Sequence, residues 1–210
     1  MKRDDAKERI LKAGMQLVPL LGYNATGLEA ILTKAAVPKG SFYHYFRTKQ
    51  AFGLELLARF VAENEKILIG FLTDTKRSPL ARIEAYLDHV IAEMEAQGCT
   101  RGCFVGNLSQ ELSDQNEAFR QALAKIFAEW QNNIAACLAE AKECGEVDTR
   151  LDCQIQARFF FSALEGAILQ AKVLRSVLPL HDLKRIWIRS LTVYKENVRS
   201  DQSLSVRSPQ

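Results

Sequence analysis

The chain has little of what most enzymes and membrane proteins depend on. It has three histidines, and His89 and His181 show no partner pattern for a metal or a catalytic dyad. It has no glycine-rich phosphate loop and no paired metal-ligand spacing. Its five cysteines, at 99, 103, 137, 144 and 153, are odd in number. Cys99 and Cys103 are four apart, but no His or second Cys pair follows at zinc-site distance, so no metal and no cofactor is expected. No apolar run reaches the roughly 20 residues that span a bilayer. The N-terminus is charged and amphipathic, unlike a signal peptide. Together these features predict a cytoplasmic protein with reduced thiols and no membrane segment. No stretch keeps the alternation of a strand, and proline and glycine fall at breaks between helical periods. There is no internal repeat. The expected fold class is all-α.

What is present is an ordinary globular composition, 48% apolar and 25% charged over 210 residues, enough for one or two domains. The charge is unevenly placed. Residues 1–60 hold ten Lys/Arg and five Asp/Glu, whereas 61–210 hold eighteen and twenty. A basic N-terminal quarter suits a phosphate-bearing partner.

The densest signal lies in that quarter, in Val37-Pro38-Lys39-Gly40-Ser41-Phe42-Tyr43-His44-Tyr45-Phe46-Arg47-Thr48-Lys49. Pro38 stops the preceding element and suits a helix start. Phe42 and Phe46, four apart, share an inward face. Lys39, Ser41, Tyr43 and His44 are left toward solvent. A helix over 27–35 precedes this one across a turn at Ala36-Val37-Pro38. That is the spacing of a helix-turn-helix, whose second helix enters the major groove of DNA. Lys39, Tyr43, Tyr45 and Lys49 suit phosphate contact, and Ser41 and His44 lie nearest the base edges. Gly40 allows close approach of another surface. Thr26 is expected to cap the first of the two helices and donate to a phosphate. The alternative is a solvated helix whose tyrosines pack on neighbours, with Tyr45 turned partly inward.

The wider pattern is Arg9-Ile10-Leu11-Lys12-Ala13-Gly14, then Leu21-Gly22-Tyr23-Asn24-Ala25-Thr26, then Ile31, Ala35, the 39–46 helix, Lys49 and Phe52. Over about fifty residues it resembles the DNA-binding domain of TetR/AcrR-type transcriptional repressors. It departs at Gly27, where that family often has Thr, which removes one hydroxyl at the start of the second helix. The resemblance implies a three-helix DNA-binding head, double-stranded palindromic operator DNA as partner, a homodimer and a small effector.

Further helices are expected at 4–21, from a Thr48 cap to about 71, and over 79–97, 103–112, 114–144, 151–176 and 181–197, the last two divided by Pro179. The expected division is a helix-turn-helix domain over 1–50, a helical effector-binding and dimerisation domain over 51–198, and a disordered polar tail over 199–210. The helix over 151–176 carries Phe159, Phe160, Phe161, Leu164, Ile168, Leu169 and Val173, apolar on more than one side. Helix 181–197 adds Leu183, Ile186, Trp187, Leu191 and Tyr194. Two protomers packing these last two helices would set two DNA-reading heads one helical turn or more apart; an ordinary intramolecular core is the alternative.

Arg101-Gly102-Cys103-Phe104-Val105-Gly106-Asn107 opens a short helix. A thiol in a first helical turn feels the positive end of the dipole, which favours thiolate, the nucleophilic and oxidisable form. The segment resembles the TetR-type subgroup that includes the N-ethylmaleimide-reductase repressor and acrylate-responsive regulators, as do Val37–Gly53 and Gln170-Ala171-Lys172. That kinship implies control by electrophiles, oxidants or small unsaturated acids, with Cys103 and Lys172 as the residues concerned. The alternatives are that Cys103 is a small packing residue and that Lys172 reaches water. Glu165 sits in the same apolar helix and either lines a cavity or pairs across a dimer. Phe104, Asn107, Trp130, Phe160 and Phe161 have the composition of a small-molecule site, or of plain core. Two other functional classes stay open at this point, a DNA-binding protein without an effector and a helical enzyme.

Overall fold

The computed structural model describes the backbone over residues 3–204 and the side chains over residues 6–192. Among the described residues there are nine helices and no strand. They are α1 (Arg3–Leu21), α2 (Leu28–Ala35), α3 (Lys39–Tyr45), α4 (Lys49–Leu72), α5 (Pro79–Ala96), α6 (Phe104–Leu112), α7 (Glu117–Glu143), α8 (Cys153–Leu174) and α9 (Leu178–Leu204). The chain forms two compact units, Met1–Lys66 with Thr100–Phe127, and Ile67–Cys99 with Ala128–Gln210. The units therefore do not follow sequence order: α6 and the start of α7 belong with the N-terminal helices.

In the first unit, α1 stops at Gly22, whose φ of +88° is the left-handed conformation that ends many helices. Ala36 adopts φ 51°, and its N–H is donated to the carbonyls of Leu32 and Thr33, which makes the sharp turn of the helix-turn-helix. Ile10, Leu11, Ala13, Ile31, Leu32 and Ala35 are buried between α1 and α2. Phe42 and Phe46 are buried beneath α3 and meet Phe52 at ring separations of 5.7 and 5.2 Å. Thr48 caps α4, its hydroxyl accepting from Ala51 N–H at 3.0 Å, as its position predicts.

In the second unit, Arg82 is buried and donates to the carbonyls of Leu72, Asp74 and Arg77 while pairing with Glu140 at 2.7 Å. It satisfies carbonyls left over at the end of α4. Trp187 of α9 is buried against Phe160 of α8 at 4.6 Å and donates its indole N–H to Gln156.

Three expectations about elements need correction. The cap of α7 is Asn116, whose carboxamide oxygen accepts from the amides of Ala118 and Phe119, so the helix start expected at Asp114 lies two residues too early. Pro179 does not separate the last two helices. It lies in the first turn of α9, where its missing N–H costs nothing, and the break is made by Arg175 at φ 52°. The tail expected from 199 is helical as far as Leu204, in a stretch without Pro or Gly to stop it, and 205–210 lie outside the described residues. Tyr194 lies outside the residues whose side chains are described.

Candidate nucleic-acid interface

The reading helix is built from its inner face outward. Phe42 and Phe46 hold α3 on Phe52, so its opposite side is fixed toward solvent. There Lys39, Gly40 and His44 are exposed, Tyr43 is 57% exposed and Ser41 is half-buried. A Cβ added at Gly40 would meet nothing within 4 Å, so a partner surface has room to come close. Between α2 and α3 lies an open groove of about 680 Å³, lined in part by Glu29, Thr33, Pro38, Lys39 and Tyr43. Tyr45 is half-buried and its ring lies 5.1 Å from that of His44, so it is less available to phosphate than Lys39 or Tyr43.

Two expected DNA ligands are placed otherwise. Thr26 is fully buried, and its hydroxyl donates to the Gly22 carbonyl at the end of α1. It does not cap α2 either: that position is Gly27, which offers no side-chain bond. Thr26 is thus a joint of the α1–α2 turn rather than a phosphate donor. Lys49 also turns inward. Its ammonium donates to the carbonyls of Tyr23 at 2.8 Å and Asn24 at 3.4 Å and lies 4.8 Å over the Tyr23 ring. Burial lowers its pKa, partly offset by the nearby Glu111 carboxylate. Burial also pushes the Tyr23 phenol up to about 12, and that hydroxyl donates to the Lys49 carbonyl.

The residues expected at an effector site fall in different surroundings. Cys103 is the N-cap of α6, with Sγ accepting from Gly106 N–H at 3.4 Å, and is half-buried. Phe104 is buried against Phe60 at 4.9 Å, and the Asn107 carboxamide donates to the Arg101 carbonyl. These three belong to the first unit. In the second, Trp130 stacks on Phe161 at 5.9 Å, both nearly buried, while Glu165 and Lys172 are half-buried on α8. Cys137 is buried with its thiol raised to about 11, chiefly by burial, and donates to the Pro79 carbonyl. Cys99 is buried as well, and Cys144 is exposed. Among the described residues no three His, Cys, Asp or Glu side chains gather as a metal site, and no helix is long and apolar enough to cross a membrane.

Residues 10–56 match the family of bacterial regulatory proteins typified by TetR, and residues 79–187 match the tetracycline-repressor-like C-terminal domain. The chain belongs to the TetR family. Among curated relatives, the transcriptional regulator AcuR of Cereibacter sphaeroides is 38% identical over 88% of this chain and 84% of its own length. The transcriptional repressor DhaR of Mycobacterium sp. strain GP1 is 30% identical over 96% of this chain and all of its own. The crystal structure of Escherichia coli NemR in its reduced form superposes with a TM-score of 0.81 at 33% identity, covering 87% of this chain and 95% of that one. This TetR-family protein is a DNA-binding transcriptional regulator; its relatives are named as regulators and repressors, not enzymes. TetR-family regulators bind operator DNA and act as dimers.

Two features escaped the sequence. The outward face of α8 carries Ile155, Phe159, Leu169 and Val173, between 47% and 76% exposed, with Gly166 open among them. The spacing was visible, but which side faced the core was not. The other is Glu111, whose carboxylate accepts from the backbone amides of Tyr23 and Asn24. It is the only charged residue in α6 and has no local cation, the one signal that could have drawn attention to it.

Proposed function

We propose that this TetR-family regulator is a repressor that reads a palindromic operator with Lys39, Gly40, Ser41, Tyr43 and His44, and dimerises through α8 and α9. Alkylation or oxidation of Cys103, or a small effector, releases it. The observation that carries the DNA reading is the two-faced α3: a buried Phe42/Phe46 face and an outer face of donors beside an open groove. The stripe of Ile155, Phe159, Leu169 and Val173 supports α8 as the dimer face, because so much exposed apolar surface in register calls for a partner surface. Ile186, 63% exposed, adds exposed apolar surface on α9.

For release, the placement of Cys103 at the start of α6 supports a reactive role. In its thiolate form the sulfur adds to an activated alkene: a C–S bond forms, the C=C π pair becomes a carbanion, and water protonates it. The thiol proton has already gone to solvent. No oxidant is needed. The test is operator release by N-ethylmaleimide in wild type and in Cys103→Ser. Loss of release with retained DNA binding supports Cys103. Full release in Cys103→Ser moves the response to another thiol, or to a reversible ligand near Glu165 and Lys172. No release in wild type, by electrophile, oxidant or small unsaturated acid, leaves a regulator without these effectors. Cys137 serves as the internal control: it is buried, and burial raises its thiol to about 11, so little of it is thiolate near neutral pH.

A further inference from the structure

We propose that Glu111 is a positioning residue for operator binding: its carboxylate clamps the α1–α2 turn and so makes the set of the reading head depend on α6. The two carboxylate oxygens each take one amide, Tyr23 N–H at 3.2 Å and Asn24 N–H at 3.0 Å, across 88 and 87 residues of sequence. These amides lie just past the end of α1, where the chain turns toward α2. From the other side the Lys49 ammonium takes the carbonyls of the same two residues. The Tyr23–Asn24 stretch is therefore gripped through its donors by α6 and through its acceptors by the start of α4.

The fit around Glu111 is close. Gly22 sits at φ +88°, and a Cβ there would fall 2.5 Å from a Glu111 oxygen, so both its conformation and its missing side chain suit the approach. Glu111 also lies in the last turn of α6, where the helix dipole disfavours a carboxylate. Its own helix thus gives it no reason to be there, and the two distant amides do. α1 packs against both α2 and α3, so a shift of the gripped turn moves the base of the helix-turn-helix.

α6 also begins at Cys103. Eight residues at 1.5 Å each place that thiol roughly 12 Å along the helix axis from Glu111. If Cys103 modification releases DNA, a part of the inference that rests on the functional reading above, displacement of α6 at its capped end loosens the Glu111 clamp at the other.

The experiment measures operator affinity of wild type and Glu111→Gln before and after N-ethylmaleimide, with far-UV circular dichroism and sedimentation to verify fold and dimer. Gln keeps the size but presents an NH₂ group to one of the two amides. The expected result is an untreated variant that binds operator about tenfold more weakly, the value of one charge-assisted hydrogen bond. Alkylation then changes its affinity by a much smaller factor than it changes wild type. Wild-type affinity in a folded, dimeric Glu111→Gln overturns the proposal. A wild type that ignores N-ethylmaleimide removes the Cys103 reading only, and the untreated affinities still decide the role of Glu111. Should Glu111→Gln not fold, amide exchange at Tyr23 and Asn24 in wild type decides. Faster exchange on alkylation supports the clamp, and unchanged exchange with DNA released overturns it.

Discussion

α3 and α8 each carry one face that the protomer leaves exposed, and the two faces have opposite chemistry. On α3 the exposed side is polar, Lys39, Tyr43 and His44, over a buried Phe42. On α8 it is apolar, Ile155, Phe159, Leu169 and Val173, over a buried Phe160 and Phe161. A hydrogen-bonding face gains from a charged, hydrated partner such as DNA. An apolar stripe gains only from another apolar surface, and in a dimeric family a second copy is the partner proposed for it. The inner faces resemble each other; the outer faces select the partner.

The largest effect should come from breaking what the two helices share. Phe42→Ala removes the ring that α3 rests on and should destabilise the first unit by about 3–5 kcal/mol, as should Trp187→Ala for the second. Thermal unfolding followed by circular dichroism measures both. A loss below about 1 kcal/mol at either position would mean that the core collapses around the gap and that the face is not anchored as described.

Next comes a separation of core from interface on α8 and α9. Phe159→Asp or Val173→Asp should leave the protomer folded and weaken the dimer by about 2 kcal/mol or more, seen as monomer in sedimentation and as loss of tight operator binding. Trp187→Asp should instead unfold it. Sequence alone placed Ile168 and Trp187 on the two helices expected to pack between protomers, yet both are buried inside the protomer. Periodicity shows that a helix is apolar on several sides but does not say which side meets its own chain.

The same limit marks what else was legible. The helices were readable because Pro38, Gly22 and Thr48 punctuate them locally, and Phe42 with Phe46 showed the inner face of α3 by spacing alone. Thr26, Lys49 and Glu111 were not readable. Their partners are peptide groups of the α1–α2 turn, which carry no side-chain signature. A lysine next to a DNA-reading helix looks like a phosphate ligand in sequence. Only its position over Tyr23 shows that two of its three donors are already bonded.

Within α3, base contact and phosphate contact should separate. Tyr43→Ala should weaken binding to every sequence, whereas Ser41→Ala or His44→Ala should change the preferred operator bases, at about 1–3 kcal/mol for each lost base contact. Binding to a set of operator variants at fixed salt distinguishes the two patterns. A uniform loss in His44→Ala would assign that residue to the backbone instead.

The smallest expected effect is the sharpest test of the exposed polar face, because it turns on salt dependence rather than on affinity alone. Lys39 is exposed beside the groove, so Lys39→Ala should lower the slope of log affinity against log salt by about one per head. Lys49→Ala should leave that slope nearly unchanged, because its ammonium is held by the Tyr23 and Asn24 carbonyls. Its cost should appear in the stability of the first unit and in affinity at all salt concentrations alike. Phe159→Asp, on the apolar stripe, should leave the slope per bound head as in wild type while changing the protein concentration needed to fill both half-sites. Measuring the three variants from 50 to 200 mM salt gives three different signatures. A full unit of slope lost in Lys49→Ala would return that lysine to the phosphate contacts and place its inward hydrogen bonds in the DNA-free state alone.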